Sequence, residues 1–145
     1  MKVSILEQSV SVEGKPQSVT IQDSINLAKK AEKLGYKRFW VSEHHNHPTI
    51  IGTAPEILMA AIACNTSSIR IGSAGIMLPH YSPLKVAEQF RVLEAIAPNR
   101  IDLGLGRAPG SDGRTALALN PNSRSDSEHF PSHVRDLIAW VSNKK

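Results

Sequence analysis

Four times over, the chain alternates a short apolar run with a segment of helical period, and this alternation constrains its fold more than any single residue does. Residues 3–6 read as a first strand, closed by Glu7-Gln8-Ser9. Over residues 18–34 Ile21, Ile25 and Ala28 share one face, while Lys29, Lys30, Glu32 and Lys33 face outward. Gly35 stands where a C-cap glycine belongs. A second strand is predicted over 38–42. Thr53-Ala54-Pro55-Glu56 then opens a helix, with Thr53 as cap, Glu56 as its capping-box partner and Pro55 in the first turn. Ile57, Leu58, Ala61 and Ile62 carry that helix to about residue 65. A third strand spans 70–78, and Ser82-Pro83 opens a helix with Leu84, Ala87, Phe90, Val92, Leu93 and Ile96 on its apolar side. The fourth strand spans 101–105. Residues 111–128 are polar, with Pro121 among many Ser, Asn and Asp, and read as a long mobile loop. Phe130, Val134, Leu137, Ile138 and Val141 form the stripe of a last helix.

Strict β-α alternation predicts an α/β fold, with a parallel sheet carrying packed helices. Two architectures satisfy it, an open doubly wound sheet and a (β/α)₈ barrel. A barrel of that type takes about 250 residues. On the barrel reading, four units in 145 residues make one incomplete domain over 1–145. The chain is 41% hydrophobic and 21% charged, a globular composition. Its net charge of +4 is spread along the sequence, which gives no footprint for a nucleic-acid partner. Cys64 is the sole cysteine, so no internal disulfide forms; it reads as a small core residue in a reduced, cytoplasmic compartment. No apolar run has the length of a membrane span, and Glu7 ends the first one too early for a signal peptide.

The chemistry lies at the strand ends. Phe39-Trp40-Val41 has the character of a strand buried on both faces, and it is followed at once by Ser42-Glu43-His44-His45-Asn46. Histidines at such a position can move protons or bind an anion. Neighbouring residues on a strand point to opposite faces, so His44 and His45 cannot both turn inward, and no metal site is expected from Glu43, His44, His45 and His47. Ser73-Ala74-Gly75 is small enough for a flat ligand to lie against its backbone; tight packing explains the glycine equally well. Arg107 follows Gly106 and has the forked donor geometry that suits a phosphate or carboxylate. Gly104-Leu105-Gly106-Arg107-Ala108-Pro109-Gly110 lacks the spacing of a dinucleotide-binding turn.

Four of these stretches, in order, resemble the bacterial luciferase-like, flavin-dependent monooxygenase family. They are Arg38-Phe39-Trp40-Val41-Ser42-Glu43-His44-His45-Asn46; Arg70-Ile71-Gly72-Ser73-Ala74-Gly75-Ile76-Met77-Leu78-Pro79; Ser82-Pro83 with Ala87-Glu88-Gln89-Phe90; and Arg100-Ile101-Asp102-Leu103-Gly104-Leu105-Gly106-Arg107-Ala108-Pro109-Gly110. The resemblance implies the N-terminal half of a (β/α)₈ barrel. It also implies reduced FMN supplied by a flavin reductase, O₂ and a small organic substrate as reactants, and a homodimer. By position, His44 resembles the family's active-site histidine. Ser73, Ala74 and Gly75 resemble its flavin-facing turn, with a cis peptide bond between the last two. Arg107 resembles an arginine near the flavin phosphate. His44 is then expected to share a cleft with Ala74 and Arg107, and His45 to face the helices or solvent. A rival expectation is a catalytically inactive fragment or relative that acts by associating with itself or a partner, through open barrel edges and apolar helix faces.

Overall fold

A computed structural model describes residues 1–108, 110 and 112–142. In chain order the elements are β1 (Ser4–Glu7), α1 (Gln17–Lys33), β2 (Arg38–Val41), α2 (Pro55–Asn65), β3 (Arg70–Ser73), β4 (Ile76–Met77), a 3₁₀ turn (Leu78–His80), α3 (Pro83–Ile96), β5 (Ile101–Asp102), β6 (Leu105–Gly106), α4 (Gly113–Leu119), α5 (Ser123–Glu128) and α6 (Phe130–Val141).

The main sheet has four parallel strands in the order β1-β2-β3-β5, in register through Ile5, Phe39, Ile71 and Ile101. A doubly wound sheet would reverse its strand order about an early strand. The order here runs straight through, and the helices follow it, with α1 against α2, α2 against α3 and α3 against α6. The fold is therefore a parallel (β/α) arrangement of barrel type, incomplete at four units.

Phe39, Val41 and Ile71 on the helix-facing side of the sheet are buried against Ile25, Ala28 and Ala31 of α1, Leu58, Met59 and Ile62 of α2, and Val86, Ala87, Phe90 and Leu93 of α3. Burying a side chain of this size stabilises by about 1.5–3 kcal/mol, so this layer is the core. The opposite side is not buried as the apolar run suggested: Leu6 is 56% exposed and Trp40 half-buried. There Trp40 Nε1 donates to Asp102 Oδ2 (3.1 Å), two strands away. The bond crosses β3 above Gly72, where a Cβ would lie 2.6 Å from the indole. Arg38 Nε (3.1 Å) and Arg70 Nε (3.0 Å) also donate to the Asp102 carboxylate.

Helix ends follow local chemistry in one case and depart from it in another. Gly35 has φ +81°, and the Tyr36 and Gly35 amides donate to Ala31 O and Glu32 O, a paired closure that needs a left-handed residue. At α2 the cap is Ala54 without a side-chain bond, and Thr53 lies outside the helix; Pro55 alone sets the start. Cys64 is exposed, on the outward side of α2 and not in the core. The stretch read as a loop at 111–128 contains α4 and α5. Asp112 caps α4 by accepting from the Arg114 (2.9 Å) and Thr115 (3.0 Å) amides. Ser111, in the same stretch, and Pro109, in the loop after strand four, lie outside the described residues. Among the described residues no helix is long and apolar enough to cross a membrane.

Candidate active site

The third and fourth strands are each broken near their C-terminal ends, and the breaks face each other. Beyond Ser73 and Asp102 the chain leaves the main sheet, then re-pairs as β4 with β6, Ile76 opposite Leu105 and Met77 opposite Gly106. Ser73 joins the two breaks: its Oγ donates to Gly104 O (2.8 Å) and accepts from Gly104 N (3.0 Å). The Ala74–Gly75 peptide bond is cis. A Cβ on Gly75 would lie 2.8 Å from the Leu105 backbone, so the missing side chain makes room for the neighbouring strand. Close strand packing thus requires a glycine at this position. Ser73 is fully buried with its hydroxyl committed to Gly104, while Ala74 keeps partial exposure beside it.

Beside these breaks, β2 ends in a buried carboxylate. The Glu43 side chain has no exposure. Its Oε1 pairs with His45 Nε2 (2.6 Å) and accepts from Tyr81 Oη (2.6 Å), and its Oε2 accepts from the Met77 amide (2.9 Å). Glu43 therefore fastens the end of β2 to β4 and to the segment leading into α3. A buried carboxylate is tolerated where its oxygens are hydrogen-bonded, as both are here. Burial, followed by the bond to Glu43 and its negative charge, pushes the Tyr81 phenol well above its ordinary range, so Tyr81 serves as a donor.

The predicted site residues have different hydrogen-bond partners. His44 is half-buried; its Nδ1 lies 3.1 Å from Ser42 Oγ and its amide donates to Gly52 O (3.1 Å). Arg107, beyond β6, is exposed and donates through Nε to Ser127 O (3.3 Å). Among the described residues no hydrogen bond links His44, Ala74 and Arg107. His45 turns toward Glu43 and, with Asn46, Arg114, Thr115, Ala118 and Leu119, lines a cavity of about 640 Å³ against α4. The sequence places Glu43 at the polar end of the second strand without giving it a role, and nothing in it singles out Tyr81, Arg114 or Thr115. Tyr81 and Glu43 are 38 residues apart, and no local pattern joins them.

A four-unit parallel β/α sheet with polar residues gathered at the C-terminal strand ends is the architecture of a barrel-type enzyme's catalytic face. Comparison with known proteins gives the family. A sequence model of luciferase-like monooxygenases matches residues 1–136, and the chain belongs to that family. N-acetyl-S-alkylcysteine monooxygenase of Bacillus subtilis (strain 168) is 45% identical over 141 residues, which is 97% of this chain and 42% of that protein. The crystal structure of apo-MsnO8 superposes with a TM-score of 0.89 at 46% identity, over 97% of this chain and 42% of that one. The oxygenating constituent of 3,6-diketocamphane monooxygenase from Pseudomonas putida, solved with FMN, shares the fold (TM-score 0.83, 22% identity, 94% of this chain and 38% of that one). The chain thus spans about two fifths of the length of the relatives it matches.

Proposed function

We propose that this chain provides the flavin-contacting half of an FMN-dependent monooxygenase that oxygenates a small organic substrate with O₂. The observation that carries the reading is the paired break of the third and fourth strands, which leaves Ala74 partly exposed at the mouth with Arg107 beyond it, in a chain of this family. The donor set suits FMN: a forked, exposed guanidinium for a phosphate, and backbone with little side-chain bulk for a flat ring. Reduced FMN, delivered by a flavin reductase, supplies the electrons for O₂ activation. The chain's own residues bind and orient. Arg107 would hold the phosphate and Ala74 and Gly75 the ring, while Ser73 keeps the two broken strands aligned through Gly104. His44 stands at the mouth as the proton-handling group, with Ser42 setting its ring orientation through Nδ1. The mouth excludes water from the reacting atoms once the barrel wall is complete.

Two further elements belong to the same reading. The protein works in the cytoplasm, where a reductase can hand over reduced flavin. It forms a homodimer through α2 and α3, whose outer faces carry Ile57 (68% exposed), Val92 (60%) and Ile96 (44%) around a shallow apolar cavity. Titration of the chain with oxidised FMN, and anaerobically with reduced FMN, tests the function. Quenching of flavin fluorescence that weakens in Arg107→Ala supports it. Failure of both redox forms to bind retires it in favour of an inactive relative.

A further inference from the structure

We infer that His129 and His133, one turn apart where α5 meets α6, form a two-imidazole site for a borderline divalent metal ion such as Zn²⁺. The inference stands apart from the proposed function, in which neither residue has a part.

The spacing is set by the sequence. His129-Phe130-Pro131-Ser132-His133 places the histidines at i and i+4, the separation that puts two side chains on one helix face. The structure keeps it. His129 closes α5 and opens α6, and the His133 amide donates to His129 O (3.1 Å). Pro131, in the first turn of α6, stiffens the backbone between them. The two rings stack, with centroids 6.5 Å apart and planes 30° from parallel. Zinc takes imidazole nitrogens at about 2.0–2.1 Å, and rotation of the exposed His129 ring closes the gap to an ion shared with His133. Asp136 follows at i+7 from His129, exposed on the same face, where its negative charge favours a cation.

The ring nitrogens are already sorted into donor and ligand. Ser125 O lies 2.9 Å from His129 Nδ1, and a carbonyl oxygen only accepts. Nδ1 therefore carries the proton of the neutral ring, and Nε2 carries the lone pair. A metal-ligating histidine has this arrangement, its second nitrogen donating to a backbone carbonyl or carboxylate. His133 Nδ1 is sealed from solvent, with no hydrogen-bond partner among the described residues. An ion thus meets that ring at Nε2. Once one imidazole holds the ion, the other binds it within the same molecule, so the pair exceeds either ring alone. Two nitrogen donors select zinc, nickel or copper over magnesium and calcium, which take oxygen ligands.

The experiment is a titration of the full chain with zinc chloride at neutral pH in metal-free, non-chelating buffer without flavin, followed by NMR of the histidine ring protons. Magnesium chloride is the hard-ion control. Zinc is expected to saturate at one ion per chain, with its largest shifts at His129 and His133. His129→Ala and His133→Ala should each weaken binding about tenfold or more, the loss expected when a chelate becomes a single ligand. His129 is exposed, so its variant keeps the parent's fold, which circular dichroism checks. His47→Ala, at an exposed histidine far along the chain, should leave zinc affinity unchanged. Absence of saturable zinc shifts, equal binding of magnesium, or unchanged affinity in His129→Ala each overturn the site. So does a loss in His47→Ala that matches the loss in His129→Ala, which marks adventitious binding by scattered histidines.

Discussion

The Glu43 carboxylate, without exposed surface, lies 2.6 Å from His45 Nε2, two residues along the same chain. Tyr81 and the Met77 amide complete its shell. Removing the carboxylate strands three donors in a buried place. Glu43→Ala should therefore cost about 2–5 kcal/mol, since each buried group left without its hydrogen-bond partner costs about 1–3 kcal/mol. Tyr81→Phe removes one bond and should cost about 1 kcal/mol. Urea denaturation of both variants measures the difference, and equal costs would contradict Glu43's role as the fastening point.

Trp40 reaches Asp102 only because Gly72 leaves the space between them empty. Gly72→Ala would put a Cβ 2.6 Å from Trp40 and 2.8 Å from Asp102 Cβ. It should cost about 1–3 kcal/mol through overpacking and move the tryptophan emission. Asp102→Asn should cost less, about 1 kcal/mol, because both arginines are more than a third exposed and solvent screens their charge.

Glu32, near the end of α1, accepts bonds from the Ser67, Ser68 and Ile69 amides and the Ser68 hydroxyl. Burial opposes its ionisation, but these bonds outweigh it and lower its pKa from 4.5 to about 2. The folded state thus releases this proton more readily than the unfolded one. Its stabilisation is complete above about 4.5 and is lost as pH falls toward 2. Glu32→Gln should lower stability by about 1–2 kcal/mol at neutral pH, the side chain being partly solvated. The gap between parent and variant should close on acidification from pH 4.5 to 2, followed by denaturant titration at each pH.

The apolar outer face of α2 and α3 predicts self-association. Ile57→Lys combined with Val92→Glu should shift the sedimentation coefficient to that of a monomer. Both side chains are exposed in the single chain, so the monomer's own stability should change by about 0.5 kcal/mol or less for each. An unchanged sedimentation coefficient would exclude this face as the contact.

Among the described residues the His44 side chain bonds to Ser42, and it is half-buried. His44→Ala should leave unfolding within about 1 kcal/mol of the parent and, on the proposed function, lower turnover with reduced FMN by about 10²–10⁴-fold. Turnover equal to the parent's would remove His44 from the mechanism.

The order of elements was legible in the sequence because its signals are local. Helical periodicity marked α1, α3 and α6, and Gly35 marked the end of α1 through its left-handed backbone. The four parallel strands followed from short connections between alternating elements. Local chemistry misled at α2, where Thr53 was free to cap but the helix began at Pro55; the bonds between Ser73 and Gly104 were out of view because they join residues 31 apart. The polar composition of 111–128 concealed α4, which is fixed by the Asp112 cap and by the bond from Asn46 to Thr115.

What the sequence determined by itself was the family, the α/β alternation and the positions where polar residues interrupt apolar strands, since each is written in a stretch of about ten residues. Tertiary structure alone decided that Glu43 turns inward to Tyr81, that Asp102 answers Trp40 from 62 residues away, and that His45 rather than His44 lines the cavity at α4. Those pairings depend on strand register and on where β3 breaks, and a buried charge adopts whichever direction brings it the most donors.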